Sequence, residues 1–186
     1  MAWVSRFRLL RAARHLRQGG LLAYPTEAVY GLGCDPLNGD AVARLLALKN
    51  RAVSKGLILL GAGFEQIEPF IRLDSEEVRR RLLDSWPGPT TWVVPSRAWV
   101  PSWLCREDRT LAVRVTAHNP SAELCRAFGG PIVSTSANPG SARPARSRVK
   151  VARYFCGTDM EFLPGNLGGL SRPTAIYDAL SGKRLR

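Results

Sequence analysis

Apolar residues in this chain fall into two kinds of pattern. Short, largely apolar runs predict strands at Leu21–Tyr24, Leu57–Leu60, Thr91–Val94, Leu111–Val115 and Pro131–Ser134, with shorter ones at Glu161–Leu163 and Thr174–Tyr177. Longer stretches with helical spacing lie between them. Residues 5–18 carry the stripe Phe7, Leu10, Ala13 and Leu16 and stop at Gly19-Gly20. Asp40–Lys49 repeats Val42, Leu45, Leu46 and Leu48, and Asn119–Phe128 is a third helix. Ser75–Leu83 is a fourth, with Ser75 placed to cap it. Gly61–Phe70 fits neither period. Val29–Gly33 has two glycines and predicts a turn or a close approach to a ligand, and Ser134–Asn138 predicts a polar turn. Ser141–Lys150 is a basic loop or a helix start. Strands and helices alternate at irregular spacings, with no repeat and no linker. The expected fold is therefore one α/β domain over residues 1–186, with a twisted mixed sheet of parallel and antiparallel strands flanked by helices.

Charge sharpens this picture. The 186 residues include 27 Lys and Arg against 15 Asp and Glu, a net charge of +12. Such a field attracts nucleotides, nucleic acids or anionic membrane. The excess concentrates between residues 85 and 150, where nine Lys and Arg face three acids. No apolar run reaches the length of about 20 residues that spans a bilayer. The four cysteines form no close pair and only two histidines are present, which disfavours a zinc site and suggests a reducing, cytoplasmic setting.

The most telling stretch is Leu48–Leu60, LKNRAVSKGLILL. Lys49, Arg51 and Lys55 crowd into seven residues directly before a buried strand. One reading is a phosphate or carboxylate site. The other is a set of cations offsetting the negative end of a helix. Three further polar groups sit at or in strands: Thr26, Arg114 within LAVRV, and the hydroxyls and amides of Ser134-Thr135-Ser136-Ala137-Asn138. On base rates alone Arg114 faces solvent. Of the five tryptophans, Trp86 and Trp92 suit core packing, while Trp99 and Trp103 leave base stacking open. No phosphate-binding glycine loop and no nucleophile motif occurs. Glu27 and Asp35 are the few carboxylates nearby, so any Mg²⁺ would be held chiefly by substrate phosphates.

Six segments in order resemble the YrdC/TsaC family of threonylcarbamoyl-adenylate synthases: AYPTEAVYGLGCDP (23–36), LKNRAVSKGLILL (48–60), WPGPTTWVV (86–94), LAVRVTAHNP (111–120), PIVSTSANPGSARP (131–144) and RPTAIYD (172–178). The resemblance covers nearly the whole chain and is to the short, single-domain form. It implies a YrdC-like fold with a large basic cavity, and an ATP-dependent nucleotidyltransferase. L-threonine, bicarbonate and ATP would give threonylcarbamoyl-adenylate, pyrophosphate and water. A separate complex would then transfer the threonylcarbamoyl group to tRNA. Some relatives also bind double-stranded RNA, so a non-catalytic RNA or nucleotide module using the same cavity is the alternative. A carbamoyl-adenylate-forming relative is disfavoured, because no acylphosphatase-like or zinc-finger segment accompanies the domain.

The resemblance also implies roles. Lys49 and Arg51 match the family's K-x-R and would be the catalytic pair, with Lys55 assisting the phosphates. Thr26 and Tyr30 would line the threonine pocket. Arg114 would meet an anionic group in the cavity, against its base rate. Ser134, Ser136 and Asn138 would hold nucleotide and intermediate, and Arg143 and Arg172 would contact phosphate. For these groups to meet, the Leu57–Leu60 strand must run antiparallel to the Leu21–Tyr24 and Pro131–Ser134 strands, or the loop before it must fold back over the sheet.

Overall fold

A computed structural model describes residues 4–140 and 142–186. One mixed sheet of eight strands runs through it in the order β7-β1-β2-β6-β3-β5-β4-β8. The strands are β1 (Leu21–Pro25), β2 (Tyr30–Gly33), β3 (Ile58–Gly61), β4 (Thr90–Pro95), β5 (Thr110–Val115), β6 (Ile132–Ser136), β7 (Met160–Phe162) and β8 (Ala175–Asp178). The helices are α1 (Arg6–Arg17), α2 (Gly39–Lys49), α3 (Phe64–Ile67), α4 (Glu76–Ser85), α5 (Asn119–Phe128) and α6 (Arg148–Tyr154).

Alternation within the strands sends side chains to two cores. Leu22 and Tyr24 of β1, Leu60 of β3 and Ile132 of β6 pack with Leu9 and Leu16 of α1 and Leu124 of α5 on one face. Leu21, Ala23, Leu59 and Val133 pack with Leu45 and Leu46 of α2 and Leu82 of α4 on the other. A period of two divides each strand between these faces, so the near-continuous apolar runs are accounted for.

Several local expectations are corrected. The buried stripe of α1 is Leu9, Ala12, Ala13 and Leu16. Phe7 is 74% exposed and Leu10 is also exposed, because the helix turns its face by one residue to meet α5. Ser75 stands at the N-cap of α4 but its side chain makes no capping bond. Val29–Gly33 is no turn: Tyr30–Gly33 is β2, and its glycines permit close packing within the sheet. A Cβ on Gly33 would lie 2.6 Å from the Val133 carbonyl oxygen. Thr135 and Ser136 extend β6 and pair with Leu32 and Gly31, so the polar turn begins later than the hydroxyls suggest. Ser141 lies outside the described residues. Trp86 and Trp92 are buried. Trp103 donates to Pro36 O, and Trp99, half exposed, stacks on Phe70 with ring centroids 4.9 Å apart.

The relative direction of β3 matters most. It pairs antiparallel with β6, Ile58 facing Ser134 and Leu60 facing Ile132. β1 and β6 are each antiparallel to β2. The start of β3 therefore shares an edge with the ends of β1 and β6, as the site requires.

Candidate active site

A cavity of about 170 Å³ opens at that edge. Part of its floor is one lateral row of the sheet: Val93, Ala112, Ile58 and Ser134, neighbours across β4, β5, β3 and β6. Arg51, Lys55, Arg106, Arg114 and Arg186 line it, and among the described residues no Asp or Glu does so. Thr26, Tyr30, Ser134, Ser136 and Thr174 add hydroxyls.

The turn after α2 explains how Arg51 arrives there. Asn50 takes a left-handed conformation (φ 47°), and Arg51 N bonds back to Leu46 O at 3.0 Å. Asparagine tolerates this geometry better than most residues, and it closes the helix while reversing the chain. The Arg51 guanidinium donates to Gly56 O at 2.9 Å, and its Nε is buried without a partner. Burial and the nearby Arg186 both lower its pKa.

Lys49 is placed differently. It is 4% exposed and does not line the cavity. Its ammonium donates to the carbonyls of Ser136 and Asn138, the latter at 2.7 Å. Its own carbonyl accepts from Gly140 N at 2.7 Å. Lys49 thus holds the turn after β6 from below. Burial first, and then the charge of Arg51, lower its pKa to about 8. Neither of the two earlier readings of the cluster covers Lys49, whose charge is spent on carbonyls outside its own helix.

Arg114 is buried, correcting its base-rate assignment to solvent. Leu111, Val113 and Val115 take the core-facing positions of β5, leaving Arg114 and Ala112 on the cavity side. Its Nη1 donates to Thr174 Oγ1 at 2.6 Å, and Nη2 lies 3.4 Å from Glu27 Oε2. Thr26 turns its hydroxyl onto Val29 O at 2.7 Å and so closes the β1–β2 turn. Tyr30 is buried, with its hydroxyl 3.5 Å from Gly165 O. Ser136 donates to Asn138 Oδ1 at 2.6 Å, while Asn138 donates to Ala142 O at 2.7 Å. Asn138 therefore orders the turn and does not line the cavity. Arg143 and Arg172 are exposed and also lie outside the lining, although their neighbours Pro144, Pro173 and Thr174 are in it.

Arg106 and Arg186 were given no site role from sequence, and Glu27 was noted only as one of the few carboxylates nearby. Arg186 reaches the cavity because its strand end folds back on β8, with Leu185 N bonded to Ile176 O at 2.7 Å. The only signal for it was the basic run Lys183-Arg184-Leu185-Arg186.

A second cavity of about 590 Å³ lies across the β1–β2 turn, lined by Pro89, Pro120, Leu167, Leu170, His118 and Glu27 among others. His118 there meets Ser121 Oγ and Asn166 O, both at 2.9 Å. This is not a hydrolytic pair. Ser121 is fully buried and gives its proton to Pro25 O at 2.8 Å. Burial also lowers the pKa of His118. Among the described residues no cluster of three metal-ligating side chains occurs, and no helix is long and apolar enough to cross a membrane.

Comparison with known proteins places this geometry. The Sua5/YciO/YrdC family model, described as "Telomere recombination", matches residues 14–185. The chain belongs to this family. Within the Sua5/YciO/YrdC family, a threonylcarbamoyl-AMP synthase of Methylococcus capsulatus is 55% identical over 186 residues, covering all of both chains. One of Cellvibrio japonicus is 50% identical, covering 99% of this chain and 97% of its own. The structure of P. abyssi Sua5 complexed with L-threonine superposes with a TM-score of 0.87 at 32% identity. It matches 95% of this chain and 52% of that longer one. The fold class expected from sequence, a mixed α/β sheet flanked by helices, is that of these Sua5 structures.

Proposed function

We propose that this protein is a threonylcarbamoyl-AMP synthase that converts L-threonine, bicarbonate and ATP to threonylcarbamoyl-AMP, pyrophosphate and water. The observation that carries this reading is a cavity lined, among the described residues, by five cationic and no acidic side chains, two of which, Arg51 and Arg114, also have a buried Nε without a partner. Unspent donors in a cationic cavity fit phosphate or carboxylate oxygens. The full-length identity to proteins named for this reaction supports the choice of substrates.

The chemistry needs no nucleophile from the chain. The threonine amine adds to the bicarbonate carbon and water leaves, giving a carbamate. A carbamate oxygen then attacks the α-phosphorus of ATP, and the α–β bridging oxygen leaves with pyrophosphate. Catalysis is positioning plus stabilisation of charge as it moves to the leaving group. Arg51, Lys55 and Arg186 would take the polyphosphate. Arg114, with Thr174, would meet the same polyphosphate from the side nearer the sheet. Thr26, Tyr30 and Ser134 would frame threonine. Lys49 and Asn138 would keep the turn that carries Ser136 in place. With no carboxylate in the lining, Mg²⁺ would travel on the ATP phosphates. The four cysteines are free, which supports a cytoplasmic setting.

The deciding assay measures pyrophosphate release with ATP, Mg²⁺ and bicarbonate, adding single amino acids. Release that depends on threonine and on bicarbonate is expected. Release indifferent to threonine would overturn the reading. The product would pass to a transfer complex acting on tRNA. The exposed Arg143, Arg146, Arg148 and Lys150 form a separate basic stretch suited to RNA phosphates. RNA binding that weakens steeply with salt would support that contact, and salt-indifferent binding would remove it.

A further inference from the structure

Glu27 is a buried carboxylate beside a cavity built for anions, and none of the roles above uses it. It is 6% exposed, in a sequence segment that supplies Thr26 and Tyr30 to the lining. Both of its oxygens face donors. Oε1 accepts from the Thr116 hydroxyl at 2.6 Å, and Oε2 lies 3.4 Å from Arg114 Nη2. Thr116 Oγ1 in turn accepts from His118 N at 3.0 Å, fixing the direction in which its proton points. The main chain of Glu27 is fastened too, its carbonyl accepting from Leu170 N at 2.9 Å.

We propose that Glu27 is a positioning residue that sets the orientation of Arg114 toward the substrate anion. The guanidinium donates to Thr174 at Nη1 and lies against Glu27 at Nη2, while its buried Nε has no partner. Two physical points separate this from a purely structural pair. A buried ion pair adds little net stability over apolar packing, so stability alone does not account for it. The ion pair is also incomplete, because Glu27 Oε2 and Arg114 Nε both lack hydrogen bonds. An incoming phosphate or carboxylate could then bind Arg114 without first breaking a closed bidentate pair.

The two facing donors call for two acceptor oxygens at this position. A glutamine has one acceptor oxygen for two donors. If it accepts from Thr116, its amide N–H groups confront Arg114. If it faces Arg114, the Thr116 hydroxyl loses its acceptor. Glu27→Gln should therefore disturb Arg114 while keeping size and shape.

The test is a double-mutant cycle on Glu27→Gln and Arg114→Lys, read in two ways. One is kcat/KM for ATP in pyrophosphate release. The other is affinity for inorganic pyrophosphate by calorimetry, which needs no turnover. Glu27→Gln should lower kcat/KM at least tenfold and weaken pyrophosphate binding. In the Arg114→Lys background it should have little further effect, since the group it orients is already gone. Thr116→Val, which keeps the carboxylate but frees its far oxygen, should shift both readings in the same direction by less, and it serves if Glu27→Gln does not fold. Effects that simply multiply, or a folded Glu27→Gln within twofold of the parent protein, would overturn the proposal. Because the inference rests on the proposed reaction for its kinetic readout alone, a parent protein without threonine-dependent release would refute that reaction, while the binding cycle would still decide the role of Glu27.

Discussion

The ammonium of Lys49 donates to the carbonyl oxygen of Asn138 at 2.7 Å, joining the last turn of α2 to the turn that follows β6. Two residues further on, Arg51 enters the cavity itself. The two cations of one short motif thus do different jobs, and substitutions should separate them. Lys49→Met leaves the buried Asn138 carbonyl without a donor, at a cost of roughly 1–3 kcal/mol partly offset by removal of a buried charge, while the Ser136 carbonyl keeps the Asn138 N–H. We expect a lower melting temperature together with at least a tenfold loss of kcat/KM. Arg51→Met should leave the melting temperature nearly unchanged and raise the KM for ATP. Thermal unfolding and pyrophosphate release measured on the same samples check this. A Lys49→Met protein as stable as the parent but unable to bind ATP would mean that Lys49 touches substrate directly.

Lys49 also predicts a pH dependence of opposite sign for stability and activity. Its pKa is lowered to about 8 in the fold, against roughly 10.4 in an unfolded chain. Between those values the unfolded state binds more protons than the folded state, so this residue's contribution to stability rises with pH. Activity should move the other way, since the charge that holds the β6 turn is lost above about pH 8. Deprotonation of the threonine amine would raise the rate over the same range. The informative quantity is therefore the ratio of a Lys49→Arg variant to the parent. It should increase from pH 7 to 9.5, because arginine keeps its charge. A flat ratio would remove Lys49 from the pH response.

Much of this site was legible in the chain, and for identifiable reasons. Strand β3 stands out as an unbroken apolar run, and β5 and β6 as largely apolar ones, because most of their residues are buried. The clustering of Lys49, Arg51 and Lys55 against one of them is a local feature, so it survives without any knowledge of the fold. The direction of β3 was one of two arrangements that bring Arg51 and Lys55 to Thr26 and Ser134, and the antiparallel one is found. What could not be read was long-range or conformational. Nothing local distinguishes a lysine that lines a cavity from one whose amine is buried on main-chain carbonyls of a turn 87 and 89 residues away. Arg186 belongs to the site only because the chain end folds back on β8. Glycines in Tyr30–Gly33 resemble turn residues, yet here they make room between strands.

That last point carries a stability prediction. A Cβ at Gly33 would sit 2.6 Å from the Val133 carbonyl oxygen and 2.9 Å from the Tyr24 ring. Neither neighbour moves freely, since one is backbone of β6 and the other is a fully buried side chain. Gly33→Ala should therefore destabilise the protein by roughly 1–3 kcal/mol. In a chain of this size that is a fall of about 2–4 °C in melting temperature per kcal/mol. A neutral or stabilising alanine would show that β2 and β6 can separate at little cost.

Arg186 gives the sharpest test of how the cavity meets its substrate. Its side chain donates to Thr174 O at 3.3 Å, and the same guanidinium lies close enough for its charge to act on Arg51 and for that of Arg114 to act on it. Burial and Arg114 lower its pKa. Three guanidiniums held near one another without an acid in the lining repel each other, and an anion among them relieves that repulsion. Arg186→Ala should therefore bind pyrophosphate and ATP more weakly, losing a charge-assisted contact of roughly 1.5–3 kcal/mol, or about ten- to a hundredfold in affinity. The remaining pair would also repel less, so the parent protein should gain more thermal stability from added pyrophosphate than Arg186→Ala does. Calorimetric titration and melting curves with and without pyrophosphate measure both effects. If the variant binds pyrophosphate as tightly as the parent, Arg186 only closes the fold-back of the chain end onto β8, and the polyphosphate lies nearer Arg106 and Lys55.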